Sequence, residues 1–480
     1  MGGPHTTIPE DRQRLFLEGP IGTALVRLAV PIILGNVLQT GYQLTDAFWV
    51  GRLGAAAVAA VSVSFPITFL VIALGYGLAV AGATLSAQYM GAGRQDMVNH
   101  VAAQTMLMVA ITSVVIGGAG YIVAPYLLEL IGVAPDVYQG ALGFMRVSFV
   151  GIVFVFLYGM FQALMRGVGE TRVPLLIVLG TVILNFALDP LFIFGWGPLP
   201  PHGVMGAALA TLATQALAAA LGIVIFLRGR HGIRLSWADF RPDAPYIKRA
   251  FLLGFPGSIE LSTRALGPML MSFLVASFGT VTLAAYGVGS NILQFVTIPA
   301  MGLSMSVSTL VSQNIGAGNV QRAARVATLG AASGFVILTL VGVVAYALAP
   351  AFVAFFVPND ADVIAEGALF IRVMCLAWGG IGVQLCIVSA FRASGNMLMA
   401  MVIAMVTQFV FQFPLAYVLS KHTALNAVGV WWSFPITNIA AAAVAAAWFA
   451  QGGWKKTRLT DEDKEVALAA DETIIEEGIR

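Results

Sequence analysis

Three acidic residues stand inside long apolar segments of the sequence: Asp46, Asp189 and Glu260. A carboxylate is costly in hydrocarbon and usually marks an ion or substrate pathway. Glu260 has Arg264 one helical turn later, in the order that favours an ion pair along a helix, so we predict a structural pair there. Asp46 and Asp189 have no such local partner. We predict that they form one coupled cation site.

Each of these two acids belongs to a row of polar residues at helical spacing. The rows are Asn36, Gln39, Gln43 and Asp46, and Thr181, Asn185 and Asp189. Polar rows facing lipid would be costly, so these faces must line a cavity or another helix. A pair of carboxylates there can take up protons or bind Na⁺ through oxygen ligands. Hydrogen bonding between helices is the alternative role.

The second half of the chain has neutral residues where the first half has acids. Met271 stands at the position equivalent to Asp46, and the polar residues include Tyr286, Ser290 and Gln294. We therefore predict a single ion site, in the first half, beside a broad substrate cavity. The predicted cavity residues are Asn36, Gln39, Tyr42, Gln43, Tyr286 and Gln294.

The elements that must position these residues follow from the composition. Hydrophobic residues make up 59% of the 480 residues and charged residues 10%, and the mean hydropathy is +0.89. A typical soluble domain is about 25% charged, so a soluble enzyme and a disordered chain are excluded. A formal charge of +2 argues against nucleic-acid binding. The two cysteines lie in apolar stretches and imply neither a disulfide framework nor a metal cluster.

The apolar runs are too long for barrel strands and fit membrane-spanning helices. We predict an all-α polytopic membrane protein with twelve transmembrane helices, over residues 24–50, 56–83, 98–123, 138–164, 173–194, 204–227, 250–276, 283–312, 322–348, 364–391, 398–419 and 427–450. On the side of the two termini the flanking segments are rich in Lys and Arg, whereas the opposite loops hold only Arg52 and Lys421. Basic flanks face the cytoplasm, so we predict that both termini are cytoplasmic.

A weak internal repeat divides the chain into two halves. Gln88–Gly93 (QYMGAG) corresponds to Gln313–Gly318 (QNIGAG) at a shift of 225 residues, and Arg166 corresponds to Arg392 at a shift of 226. We predict that each Gly-Ala-Gly ends a helix with a left-handed glycine. Six spans per unit place both halves in the same orientation, so we expect two six-helix lobes related by a pseudo-two-fold axis along the membrane normal.

The predicted organisation therefore has five parts: a cytoplasmic N-terminal segment 1–23, an N-lobe 24–227, a cytoplasmic linker 228–249, a C-lobe 250–450 and a charged cytoplasmic tail 451–480. We expect this protein to span the plasma (inner) membrane many times as a monomer. Its expected partners are the lipid bilayer and small amphipathic substrates, and no nucleic acid.

The sequence resembles the multidrug and toxic compound extrusion family of cation-coupled antiporters, and most closely its DinF-like branch. The segments that carry the resemblance are residues 29–35 (AVPIILG), 44–54 (LTDAFWVGRLG), 162–171 (QALMRGVGET), 185–190 (NFALDP) and 206–211 (GAALAT). The resemblance implies secondary active efflux of amphipathic, often cationic drugs or metabolites by alternating access, in exchange for H⁺ or Na⁺. It further implies a cation site at Asp46, Asn185 and Asp189 with Thr211, and no cofactor other than the coupling ion.

Two other functions are weighed against this one. A flippase for lipid-linked oligosaccharides, from the same superfamily, would share the two-lobe layout. A membrane enzyme would need a nucleophile with a base, or a metal site, but the five histidines fall in predicted loops, tails or span ends. We therefore expect no catalytic residue and no metal centre beyond a possible Na⁺ at Asp46, Asn185 and Asp189.

Overall fold

A computed structural model of the chain describes residues 10–197 and 200–460. The predicted segment before residue 10 and the charged tail after residue 460 lie outside these residues. Twelve of the described helices are long and apolar enough to cross a membrane. The prediction of an all-α fold with twelve spans is therefore confirmed.

The spans are numbered 1 to 12 in chain order. They are Ile21–Gly51, Ala55–Gly91, Gln95–Ile131, Pro135–Gly167, Arg172–Phe194, Val204–Arg228, Ala244–Ala276, Thr280–Gly316, Val320–Phe356, Ala361–Ala393, Met397–Lys421 and Ala427–Ala450. A 3₁₀ turn at Cys375–Ala377 interrupts span 10, and a π-helical stretch at Val406–Gln412 lies within span 11. Most spans are longer than predicted because the helices continue into their polar flanks.

Spans 2 and 8 end in the same turn, as the repeat predicts. Each helix is followed by an alanine and then by a glycine in the left-handed region, Gly93 with φ 74° and Gly318 with φ 81°. Only glycine adopts this conformation without strain. The two chain reversals are therefore equivalent, and both lie on the side of the linker between spans 6 and 7, which the structure confines to residues 229–243.

The same two spans cross where neither has a side chain. A Cβ on Gly91 would lie 1.9 Å from the main-chain oxygen of Gln313, and a Cβ on Gly316 would lie 1.9 Å from that of Gln88. Gln88 Nε2 donates to the carbonyl of Ala393 in the C-lobe at 2.8 Å, and Gln313 Nε2 donates to that of Gly167 in the N-lobe at 2.8 Å. The two lobes are thus joined on the linker side by a reciprocal contact.

Spans 1 and 7 each begin against the opposite lobe. Leu25 and Leu28 of span 1 belong to a buried cluster with Val307 of span 8, whereas Tyr246 and Ala250 of span 7 belong to the main N-lobe cluster. The exchange adds apolar contact between the lobes in the half of the bundle nearest the linker. Within a membrane such contact stabilises the assembly through van der Waals packing.

The N-terminal helix Glu10–Leu17 bridges the two lobes. Arg12 Nη1 lies 2.7 Å from Glu170 Oε2 in the N-lobe, and Asn314 Nδ2 of the C-lobe donates to the carbonyl of Phe16 at 3.2 Å. Burial raises the pKa of Glu170, but the hydrogen bond and charge of Arg12 and the backbone N–H of Arg172 lower it by more, so the pKa lies below its usual value. Glu170 is therefore a stable anionic anchor at neutral pH.

A C-terminal segment, Gly453–Thr460, bridges the lobes in a similar way. The backbone N–H of Leu459 donates to Gln88 Oε1 at 3.0 Å in the N-lobe, and Arg458 donates to the carbonyl of Gly316 in the C-lobe. The Leu459 side chain packs on Gly395. Both described ends of the chain therefore cover the crossing of spans 2 and 8.

The linker between the halves is held against span 3. Gln104 Nε2 donates to the carbonyls of Asp239 and Arg241, both at 2.7 Å, and His100 Nε2 lies 3.0 Å from Asp243 Oδ2. These contacts fix the linker to the N-lobe before span 7 begins.

We expect Gly91→Ala to weaken the contact between the lobes, because the added methyl group would overlap the main chain of span 8. Overpacking of this kind costs about 1–3 kcal/mol, so the melting temperature of the purified protein should fall. Gly118→Ala is the matched control, since a Cβ on Gly118 meets no atom within 4 Å. Equal melting temperatures for the two variants would contradict the crossing.

Candidate cation site and the cavity between the lobes

Spans 1 and 5 bring the predicted ion-site residues into contact. Asn185 and Asp189 are one turn apart on span 5, and both face Asp46 on span 1. The Asn185 amide Nδ2 donates to Asp46 Oδ1 at 2.6 Å and to Asp189 Oδ2 at 2.9 Å. One amide group therefore links the two carboxylates.

Span 6 completes the cluster with two threonines. Thr211 Oγ1 donates to Asp46 Oδ2 at 3.3 Å. One turn further along span 6, Thr214 Oγ1 lies 2.6 Å from the hydroxyl of Tyr42 on span 1. The structure thus places all four predicted ion-site residues together, with the predicted cavity residue Tyr42 beside them.

This cluster, made of Asp46, Asn185, Asp189 and Thr211, is rich in oxygen. Asn185 and Asp189 are fully buried, and Asn185 Oδ1 and Asp189 Oδ1 have no hydrogen-bond partner among the residues that the structure describes. In the described part of the chain, no Lys, Arg or His side chain forms an ion pair with Asp46 or Asp189. Two neighbouring carboxylates repel each other when both are ionised. A proton, or a small hard cation bound by oxygen ligands, would balance them.

A cavity inside the N-lobe lies along the same face of span 1. It has about 440 Å³ of empty space between spans 1, 4 and 5, partly open to the outside, and its lining includes Asn36, Gln39, Gln162 and Arg166. Two of the predicted substrate-cavity residues, Asn36 and Gln39, therefore line a cavity. Asn36 Nδ2 is buried and has no hydrogen-bond partner among the described residues.

A larger cavity lies between the lobes, with about 870 Å³ of empty space that is partly open to the outside. Spans 2 and 4 supply its N-lobe wall, and spans 7, 8 and 10 supply its C-lobe wall. Three guanidinium groups line it, those of Arg166, Arg264 and Arg392. Ala87 and Ser312 are among its lining residues. Each directly precedes a glutamine of the crossing between spans 2 and 8, so the linker-side end of the cavity lies close to that crossing.

The remaining predicted cavity residues lie elsewhere. Gln43 and Gln294 are exposed on spans 1 and 8. Tyr286 is buried in the C-lobe, where its ring packs near those of Phe370 and Trp431 and its hydroxyl donates to the carbonyl of Pro268 at 3.2 Å. The structure does not bring these three side chains to either cavity.

Glu260 forms the predicted pair with Arg264 and has a second partner. Its Oε1 accepts from Arg264 Nε at 3.3 Å and Nη2 at 3.2 Å, and Arg392 Nη1 lies 3.7 Å from the same oxygen. Glu260 is fully buried, and its Oε2 has no hydrogen-bond partner among the described residues. One carboxylate thus stands against two guanidinium groups of the cavity wall.

Sequence reasoning missed the cavity arginines of spans 4 and 10. Arg166 and Arg392 stand near the linker-side ends of their spans, so they count among the basic flanks that indicate orientation. The sequence did hold one sign of their importance: the internal repeat relates Arg166 to Arg392 at a shift of 226 residues. Symmetry places equivalent residues at equivalent positions about the axis, and the structure shows that Arg166 and Arg392 both face the cavity.

We expect Glu260→Gln to lower stability by about 1–3 kcal/mol, because two arginines lose their carboxylate partner while Arg264 stays in part exposed to solvent. Thermal unfolding of the purified protein measures the effect, and Glu129→Gln, at an exposed position, is the control. An unchanged melting temperature together with loss of ion-coupled transport would place Glu260 in the transport site instead.

Comparison with known proteins identifies the family. The MatE family profile matches residues 31–191 and 256–418, one stretch in each half. The chain is 30% identical over 438 residues to the probable multidrug resistance protein YoeA of Bacillus subtilis (strain 168), covering 90% of this chain and 94% of that protein. It is 27% identical over 431 residues to a FAD transporter of Shewanella oneidensis, covering 90% and 94%.

The fold is also that of solved structures. A crystal structure of a MATE in complex with MaL6 superimposes with a TM-score of 0.86 at 23% sequence identity, covering 92% of this chain and 99% of that one. It has the same two-lobe arrangement of twelve helices. With both halves matched by the profile and nearly the whole length shared with a relative at 30% identity, this chain belongs to the MatE family of multi-pass membrane transporters.

Proposed function

We propose that this protein is a secondary active efflux transporter that exports amphipathic small molecules in exchange for H⁺ or Na⁺. The observation that carries the proposal is the pair of carboxylates linked through one amide, Asp46–Asn185–Asp189, without a basic partner among the described residues. Such a pair can bind a proton or Na⁺ and release it again. The gradient of that ion supplies the energy for export.

Span 1 connects the proposed ion site with the contact between the two lobes. Asp46 lies in one half of this helix, and the other half packs against the C-lobe, where a Cβ on Gly302 of span 8 would lie 2.4 Å from the Ile33 side chain. Pro31, inside span 1, removes a backbone hydrogen bond and permits bending. A cation that changes how span 1 packs on span 5 therefore biases the contact between the lobes.

The names of relatives support export of small molecules. Besides the protein YoeA, a relative from Staphylococcus saprophyticus is named multidrug export protein MepA, and it is 23% identical over 438 residues. These names favour an exporter of soluble compounds over the flippase alternative. The cavity between the lobes is the proposed substrate site, and alternating access would expose it to one side of the membrane at a time.

The proposal includes a location and an orientation. The protein acts as a monomer in the plasma (inner) membrane, with the described ends and the linker in the cytoplasm. The distribution of Lys and Arg supports this orientation. Because the lobes meet on the linker side, the described conformation is closed towards the cytoplasm.

Gradient-driven transport by purified protein in vesicles tests the exchange. Asp46→Asn and Asp189→Asn keep the size of the side chain and remove the ionisable group. We expect each variant to fold and to lose transport down to the level of protein-free vesicles, and the double variant to lose no more, since the two acids act as one site. Suitable probes are dansyltaurine, a permanent anion, and a dansyl dye with a trimethylammonium group, a permanent cation.

Separate Na⁺ and H⁺ gradients identify the coupling ion in the same vesicles. Asp136→Asn, at an exposed position, is the matched control and should transport normally. Wild-type rates in both single variants, with unchanged dependence on the ion, would contradict the proposed ion site.

Cysteine labelling tests the orientation. Trp237 of the linker is 86% exposed and Trp196, between spans 5 and 6, is 76% exposed, whereas Leu235 is only 5% exposed and is a poor reporter. In intact cells a membrane-impermeant maleimide should label Trp196→Cys and should not label Trp237→Cys. The native cysteines are buried. The reverse pattern would overturn the orientation.

A further inference from the structure

The charges of the cavity between the lobes differ in sign from those of the ion site. Arg166, Arg264 and Arg392 line the cavity, and Glu260, which contacts two of them, is the carboxylate beside them. Three positive charges and one negative charge leave a balance of two positive charges. No acidic residue is among those that line the cavity within the described part of the chain.

The arginines keep donors free for a ligand. A guanidinium group has five N–H donors. Arg166 Nη2 donates to the hydroxyl of Tyr76 at 3.2 Å, and Arg264 directs two groups to one oxygen of Glu260. Among the described residues no carboxylate forms an ion pair with Arg166. Guanidinium groups bind phosphate, sulfonate and carboxylate groups through paired hydrogen bonds.

The rest of the cavity wall suits an apolar body. Val80, Leu261, Met301, Met305 and Leu385 line the same space. Methionine side chains adapt to ligands of different shape. The cavity therefore combines an adaptable apolar wall with a positive wall, as an amphipathic anion requires.

The placement of the arginines also links an anion to the contact between the lobes. Arg166 belongs to the N-lobe wall, and Arg264 and Arg392 belong to the C-lobe wall, so like charges from the two lobes line one cavity on the side where the lobes meet. Like charges repel more strongly where water is excluded. An anion between them removes this repulsion, and such a ligand favours the state in which both walls contact it.

We propose that the cavity between the lobes binds amphipathic organic anions, and that Arg166 of the N-lobe and Arg264 and Arg392 of the C-lobe hold the anionic group. The inference rests on the proposed export function and names the substrate class. It differs from the often cationic compounds that the sequence resemblance implies. Glu260, which pairs with Arg264 and Arg392, then offsets part of their charge and competes with the anion for them.

Equilibrium binding of three dansyl dyes tests the sign of the charge. Wild-type protein in phosphatidylcholine nanodiscs is titrated at constant ionic strength with dansyltaurine, neutral dansylamide and the trimethylammonium dye, with empty nanodiscs as background. We expect dansyltaurine to bind about tenfold more tightly than either of the others, because only its sulfonate can form charge-assisted hydrogen bonds with the arginines. Equal binding of all three, or preference for the cation, would overturn the proposal without any variant.

Variants locate the site. Arg166→Gln should weaken dansyltaurine about tenfold and leave dansylamide unchanged, and Ser308→Asp, which adds a negative charge to the cavity lining, should also weaken the anion. Glu260→Gln should bind dansyltaurine at least as tightly as the wild type, although its fold is less stable. Arg325→Gln, which removes an exposed arginine of span 9, is the matched control. Anion binding that is unchanged in both Arg166→Gln and Ser308→Asp would contradict the site.

The same assay distinguishes an anionic lipid from a soluble anion as the ligand. Loss of dansyltaurine binding when phosphatidylglycerol is added to the nanodiscs would support the anion site with a lipid phosphate as its ligand. Unchanged binding would support a soluble anion.

The assay also separates this inference from the proposed export function. If gradients drive dye transport but the dyes show no preference for negative charge, the substrate class is wrong and the exchange function stands. If dansyltaurine binds as expected but no gradient drives its movement, the exchange function is wrong and the anion site stands.

Discussion

The crossing of spans 2 and 8 is the contact on which the rest of the arrangement depends. Gly91 and Gly316 allow two main chains to approach more closely than any side chain would permit. Gln88 and Gln313 then satisfy carbonyl groups at the ends of spans 10 and 4 across the interface. Because these bonds close the linker side of the bundle, the space above them remains as a cavity between the lobes.

The proposed ion site and the cavity between the lobes have opposite charge and occupy different parts of the molecule. The acids Asp46 and Asp189 lie within the N-lobe, and the arginines lie between the lobes. This separation avoids direct neutralisation of one set by the other, and it leaves each free to bind its own ligand. Span 1 carries Asp46 of the first set and packs on the C-lobe through Ile33, so one helix contacts both the acidic cluster and the opposite lobe.

Much of this arrangement could be predicted from sequence because the membrane imposes strong rules. Long apolar runs become helices, and acids within them, such as Asp46 and Asp189, must find partners. The same rules say nothing about the depth or direction of a side chain near the end of a span. Arg166 and Arg392 therefore looked like ordinary basic flanks, although they reach the cavity. Tyr286 shows the opposite case: it belongs to a polar row at helical spacing, but its own ring is buried against those of Phe370 and Trp431.

The reciprocal form of the crossing has a further consequence. Gln88 with Gly91, and Gln313 with Gly316, make the same contact in both directions, which is the property of an isologous interface between identical subunits. Each six-span half thus carries a self-complementary surface. A half synthesised alone would present this surface to a second copy of itself as readily as to its natural partner. Pairing of like halves is therefore the competing assembly that covalent connection through the linker prevents.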